Sequence, residues 1–249
     1  MSGHSKWATI KHKKGATDKA RAKVFNKIAR QLEVAAREGG ADVNSNASLR
    51  TVIQKAKAAQ MTNDAIDRAV KRGAGLADGG HYEALTYEGY APGGAALLVD
   101  VLTDNRNRTG ADVRNVFSKL GGSLAEPGAV GWQFSRRGVV VVNGGDEETV
   151  MMAALEAGAD DVGPDGDGVW RITSEPSIVY DVRDALQALG LEVASAESTM
   201  VASLTVEVTD AGDARKILRI MDALEDLDDV QDVYSNFDIS DELMEEVGE

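Results

Sequence analysis

Cysteine is absent from the 249 residues, which excludes disulfide scaffolds, thiolate zinc sites and cysteine nucleophiles. Histidine occurs three times (His4, His12 and His81), too little material for a histidine-based metal centre. The longest apolar runs, such as Ala95 to Val99 and Val139 to Val142, fall far short of the roughly 20 residues that span a bilayer as a helix. No membrane partner is expected. The basic N-terminus has no apolar stretch behind it and does not read as a secretory signal. Ser2 stands where myristoylation requires glycine. A cytoplasmic or equivalently reducing setting is the expectation.

Catalytic motifs are missing as well. There is no phosphate-cradling G-x-x-x-x-G-K-S/T, no G-x-G-x-x-G following a strand, no G-x-S-x-G elbow and no His-Glu-x-x-His. The cluster Gly163, Gly166 and Gly168 reads as a tight turn between two strands. No enzymatic activity, resident metal or cofactor is therefore expected. One catalytic alternative stands, a metal-dependent nuclease with His81, Asp100 and Asp104 around magnesium. Against it, two acids at even spacing on one strand ordinarily line its solvent face.

What is present is a steep charge gradient. The formal net charge is −14. Residues 1–75 nevertheless hold 16 Lys and Arg against 6 Asp and Glu, whereas residues 76–249 hold 11 against 35. Nine of the first thirty residues are basic, and Asp18 is the single acid among them. Nothing basic follows Arg219. Such asymmetry points to a nucleic-acid partner, or, more simply, to a solubilising arm beside a solvated acidic face.

Periodicity divides the chain. The first fifteen residues show neither helical nor strand period and are expected to be mobile without a partner. A helix is predicted from a Thr17 cap to the Gly39-Gly40 stop, with Phe25, Ile28, Leu32 and Ala35 in one arc. Lys19, Lys23, Lys27 and Arg30 fall in an arc on nearly the opposite side. Two further helices, Ala47 to Ala59 capped by Asn46 and Asn63 to Arg72 ended by Gly73, complete a small bundle. The run GAGLADGG is a linker by composition.

From residue 81 strands alternate with helices. Tyr82 to Tyr90 and Ala95 to Thr103 form a hairpin through APGG, followed by a helix Thr109 to Leu120 and a strand Val130 to Phe134. Gly138 to Val201 then spells β-α-β-β-α-β, a ferredoxin-like unit. The helix Ala211 to Leu224 and the strand Val230 to Phe237 are left over and are expected to return to the sheet begun at residue 82. The expected class is α+β. It comprises a basic arm and three-helix domain (1–75), a middle α/β domain (80–135 plus 209–238), an inserted ferredoxin-like domain (136–208) and an acidic tail (239–249).

Two clusters suit a polyanion. Lys6, Lys11, Lys13 and Lys14 on the arm gain affinity by displacing counterions from phosphates whatever the bases, and His4 and His12 can each donate to a phosphate. Trp7 offers a plane for an unstacked base or, equally, an anchor folded into the bundle. The row on the first helix extends this footprint, unless it pairs with the acidic half of the same chain. The second cluster, TDNRNRTGADVR (103–114), sets Arg106, Arg108 and Arg114 where a strand hands over to a helix, a suitable place for a phosphate or RNA backbone. Asn105 and Asn107 read as caps and turn formers.

The segments GHSKWATIKHKK, FNKIARQLEVAAREGGADVNSNASLR and KAKAAQMTNDAIDRAVKRGAG resemble the N-terminal domain of the YebC/PmpR family. YEGYAPGG, LTDNRNRTGADVRNVFSKLGGSL and GAVGWQF resemble its second signature region. The resemblance covers nearly the whole chain. It implies a three-helix domain followed by two α/β domains, the last inserted into the middle one. It also implies one of two non-enzymatic roles, promoter-DNA binding or action on the ribosome through ribosomal RNA or tRNA at difficult stretches such as consecutive prolines. The family includes the mitochondrial translational activator of cytochrome oxidase subunit I. A monomer is expected.

Overall fold

The structure is a computed structural model that describes residues 18–166 and 168–248. It forms two compact units, one made of 134–203 and the other of the chain on either side of it.

The outer unit begins with three helices, α1 (Asp18–Gly39), α2 (Ala47–Ala58) and α3 (Asn63–Gly73). Ile28, Leu32, Ala35 and Ala36 of α1 are buried against Leu49, Ala56, Ile66 and Ala69, so the apolar arc read from the sequence is the bundle core. Asn46 does more than cap α2. Its Oδ1 accepts from Leu49 N at 2.9 Å, while its Nδ2 donates to Ala35 O and Gly40 O at 2.8 and 2.7 Å, tying the end of α1 to the start of α2. Gly73 ends α3 directly against α1, where a Cβ would stand 2.2 Å from the Glu33 carbonyl oxygen, so no larger residue fits. The Thr17 cap lies outside the described residues.

The second layer is the sheet β3-β1-β2-β9, formed by β1 (Glu83–Tyr90), β2 (Ala96–Thr103), β3 (Ser123–Leu124) and β9 (Val230–Ser235). β1 and β2 pair antiparallel from Glu83↔Thr103 to Tyr90↔Ala96, and β9 pairs antiparallel with β2. The leftover strand therefore does return to the sheet. Leu97, Val99 and Val101 of β2 face α4 (Arg106–Leu120) and α7 (Ala211–Glu225), burying Val113, Phe117, Ile217, Ile220 and Met221. A short parallel pair, β8 (Val206–Glu207) with β10 (Phe237–Asp238), draws residues 204–208 into this unit rather than the inserted one.

One expectation needs correction and another is filled in. Val130 to Phe134 is not a strand. The N–H groups of Val130 and Gly131, like that of Gly128, are taken by the Glu88 carboxylate (2.6 to 2.7 Å) rather than by a neighbouring strand; a 3-10 turn, Gly131–Gln133, follows. The strand instead starts at Phe134. The acidic end, expected as a tail, has local structure of its own. It is a helix, α8 (Asp241–Gly248), whose Met244 is 2% exposed and packs with Leu243 and Val247 on the α7 core.

The inserted unit runs β4 (Phe134–Asn143), α5 (Glu147–Glu156), β5 (Asp161–Gly166), β6 (Val169–Ser174), α6 (Val179–Ala188) and β7 (Glu192–Ala202). Its strand order, β5-β6-β4-β7, is antiparallel throughout. The β-α-β-β-α-β reading is thus realised as a ferredoxin-like sheet with both helices on the Val140, Val142 and Ile172 face. No helix among the described residues is long and apolar enough to cross a membrane.

Candidate nucleic-acid interface

The basic arm (His4, Lys6, Trp7, Lys11, His12, Lys13 and Lys14) and the Lys19 side chain lie outside the described residues. The remainder of the cationic row is described, and it is engaged inside the chain. Lys23 reaches the Asp226 carbonyl and, at 3.0 Å, its carboxylate. Lys27 donates to Glu225 O at 2.9 Å. Arg30 donates through Nη1 to Asp228 O and to Asp229 Oδ1, both at 2.9 Å, and its guanidinium lies 5.3 Å from the centre of the Tyr82 ring. Residues 225 and 226 close α7, where the last carbonyls of a helix lack partners and carry partial negative charge. Two lysines from another helix satisfy them. Pairing with the acidic half, the simpler of the two sequence readings for this row, is what the structure holds.

Asp229 is the centre of this contact. It is 12% exposed, and its Oδ2 accepts from Arg108 Nη2 and Thr109 Oγ1, each at 2.7 Å, and from Thr103 Oγ1 at 3.3 Å, while Oδ1 takes Arg30. Burial alone would push this carboxyl up. The bonds from Arg108 and Thr109, the Arg108 charge and the Arg30 bond outweigh burial and hold it below the ordinary carboxylate range. Lys55–Asp232 (3.6 Å) and Gln31–Gln231 (3.3 Å) extend the contact along β9. A cleft of about 970 Å³ opens beside it, lined by Asn26, Lys27, Arg30, Arg72, Tyr82 and Asp228 among others.

The second cluster is shaped by its cap. Asn105 Oδ1 accepts from Arg108 N at 3.1 Å, so α4 starts at Arg106 rather than Thr109, and two arginines fall in its first turn. Cations are unfavourable there. Acids answer them: Arg108 bonds Asp104 and Asp229 at 2.7 Å, and Arg106 lies 3.5 Å from Glu83. The bond to Asp229, then that to Asp104, raises the Arg108 pKa further. Arg114 is exposed with no side-chain partner among the described residues. The nuclease grouping does not assemble there: Asp100 accepts from Thr86 Oγ1 at 2.9 Å, Asp104 pairs with Arg108, and no metal-holding group of His, Asp and Glu exists among the described residues.

Features beyond the sequence reading complete the surface. Arg68 and Lys71, three residues apart on α3, and Lys57 on α2 are exposed cations without side-chain partners among the described residues. Trp132 is 67% exposed, and its Nε1 and the Tyr90 hydroxyl both donate to Ala129 O (3.1 and 3.3 Å). The Glu88 carboxylate beneath that loop would be pushed up by burial, but its three backbone donors hold it low. Tryptophan in a glycine-rich phrase, GAVGWQF, was the available signal for that loop; nothing in the sequence marked Glu88 or Asp229.

A cation-rich bundle, joined through ion pairs to an α/β unit that itself hosts a ferredoxin-like insertion, defines a multidomain α+β protein. Residues 5–76 match the TACO1/YebC protein N-terminal domain, and residues 82–237 match the TACO1/YebC second and third domain. The chain belongs to the TACO1/YebC family. It is 54% identical over 250 residues to a probable transcriptional regulatory protein of Rubrobacter xylanophilus (99% of each chain), and 53% identical over 249 residues to one of Methylococcus capsulatus (all of each chain). The crystal structure of a conserved hypothetical protein from Aquifex aeolicus matches with a TM-score of 0.76 at 43% identity, covering 89% of this chain and 91% of that one.

Proposed function

We propose that this protein is a non-enzymatic, nucleic-acid-binding regulator of gene expression that docks by its basic N-terminal end. The observation that carries the reading is the charge division: 16 basic residues against 6 acidic ones in 1–75, and the reverse imbalance after it. The names of the relatives from Rubrobacter and Methylococcus support a transcriptional role. In this reading the arm residues Lys6, Lys11, Lys13 and Lys14, with His4 and His12, meet phosphates, and Trp7 stacks or anchors. Lys19, Arg114 and the outward cations Lys57, Arg68 and Lys71 extend the footprint, while Arg106 and Arg108 first have to leave their acids. The strongly acidic remainder is repelled by the same polyanion and orients the docking.

A second reading, a ribosome-associated factor on ribosomal RNA or tRNA in the cytoplasm, draws on one observation. The cationic face of α1 is turned to its own acidic turn, so it does not present a helix of base-reading side chains to a major groove, and recognition by charge and shape suits structured RNA. One pair of assays separates the two. A promoter-binding regulator prefers its duplex over scrambled competitor by about 10³-fold or more at physiological salt. A translation factor instead co-sediments with ribosomes and is released as salt rises. Reversal of Lys11, Lys13 and Lys14 to glutamate is expected to weaken either association with thermal stability unchanged; a matching loss of stability would assign those lysines to the fold.

A further inference from the structure

The contact between bundle and sheet has the composition of a polyanion complex made within one chain. Lys23, Lys27 and Arg30 recur at i, i+4 and i+7, on one face of α1. Opposite them, five of the eight residues from Glu225 to Asp232 are acidic, and the row bonds four residues of that turn, Glu225, Asp226, Asp228 and Asp229.

We propose that Lys23, Lys27 and Arg30 form a latent nucleic-acid-binding face, and that the acidic turn 225–232 occupies it in the free protein as an internal stand-in for a phosphate backbone. The proposal rests on the nucleic-acid reading and adds a regulated second surface to it. Four features make the contact a latch rather than a permanent joint. The bundle core and the sheet core are separate clusters with no shared residue. No bundle helix lies in extensive close backbone contact with a strand of the sheet, and the apolar share of the junction includes a small groove where Leu102 meets Val34, Ala35 and Val52. Asp226 is 83% exposed, so water and salt already compete for Lys23. Departure of Arg30 also strands no charge, because Asp229 keeps Arg108 and Thr109 at 2.7 Å.

The route of opening is present too. Between Gly73 and Glu83 no helix or strand is formed, and Gly75 there holds φ +74°, beside Gly79 and Gly80. The cleft at Lys27, Arg30 and Tyr82 opens onto the row. A phosphate backbone that enters from the arm and passes Lys19 and Arg21 meets these cations, releases counterions and replaces the turn. Binding and opening are then one equilibrium, and the apparent affinity is reduced by the fraction of molecules still latched.

The test uses the full chain and a labelled 20-nucleotide single-stranded RNA, with a DNA duplex of the same length in parallel. Asp226→Asn with Asp232→Asn weakens the latch at two exposed or half-exposed positions. Glu242→Gln with Glu245→Gln on α8 makes the same change in net charge away from it. The first pair is expected to tighten binding about fivefold, as a shift in the competent fraction, and the second to leave it unchanged. Lys23→Ala with Lys27→Ala in the unlatched background removes that gain. Because the chain has no cysteine, Ala58→Cys and Asn115→Cys accept a pair of fluorophores, one on α2 and one on α4. Saturating oligonucleotide is expected to lengthen and broaden their separation. Binding with an unchanged separation, or equal tightening by both acid-neutralised pairs, overturns the latch while leaving nucleic-acid binding in place. Absence of binding by every variant overturns both.

Discussion

The two compact units spend their charges differently. Within the 134–203 unit, Arg171–Asp165 at 3.3 Å, Arg137 with Asp160 and Glu175 at 3.4 Å, and Arg183–Asp184 at 2.6 Å surround one apolar core. In the outer unit two apolar cores are held together by pairs that join residues 23–55 to residues 225–232. Burial of side chains is worth several times an exposed ion pair. The inserted unit is therefore held by packing, whereas the junction in the outer unit is tuned by charge and salt.

That contrast can be broken at graded points. Ile172→Ala empties the centre of the inserted core and is expected to cost about 2–5 kcal/mol. Hydrogen exchange would then show protection lost over 134–203 and kept over 83–124; uniform loss would mean that the units unfold together. Asp229→Ala leaves Arg108 and Arg30 without their shared acceptor and is expected to cost about 2–3 kcal/mol, read by urea denaturation, with the A58C/N115C separation increasing. Glu88→Gln replaces a threefold acceptor by a group with one acceptor oxygen, at about 2 kcal/mol, and changes the fluorescence of Trp132. Lys23→Ala, whose carboxylate partner is largely exposed, is expected to cost under about 1 kcal/mol, an amount that shrinks further in high salt.

The acid limit follows from the same residue. The folded pKa of Asp229 is depressed, so its contribution is fully present above the unfolded value, about 3.9, and is lost as pH falls through the lower folded value. The stability advantage of the native chain over Asp229→Asn is therefore expected to be flat from neutral pH to about 5 and to shrink below about 4. A constant difference down to the acid transition would show that Asp229 does not titrate with folding.

Local order was legible because it is written in adjacent residues. The Ile28, Leu32, Ala35 arc, the Asn46 cap and the alternating strands of the insertion came from spacing alone, and the family motifs extended that reading. What escaped were contacts between distant segments. Nothing near Asp229 in sequence says that Arg30, Thr103, Arg108 and Thr109 converge on it, and nothing near Val130 says that Glu88 has claimed its N–H. The cation row on α1 was visible, but not what covers it, since an amphipathic pattern identifies a charged face without naming its counter-charge. The packing of the acidic end escaped for a related reason: its sparse Leu243, Met244 and Val247 look negligible until α7 supplies a surface for them.

The most direct test of the nucleic-acid reading is the salt dependence of oligonucleotide binding, measured by anisotropy for the full chain and for a chain that lacks residues 1–15. Docking through cations predicts a straight fall of log affinity with log salt, with a slope of magnitude about 0.7 per single-stranded phosphate contacted, and a shallower slope with weaker binding after the deletion. A salt-independent affinity, or identical curves for the two chains, would contradict it.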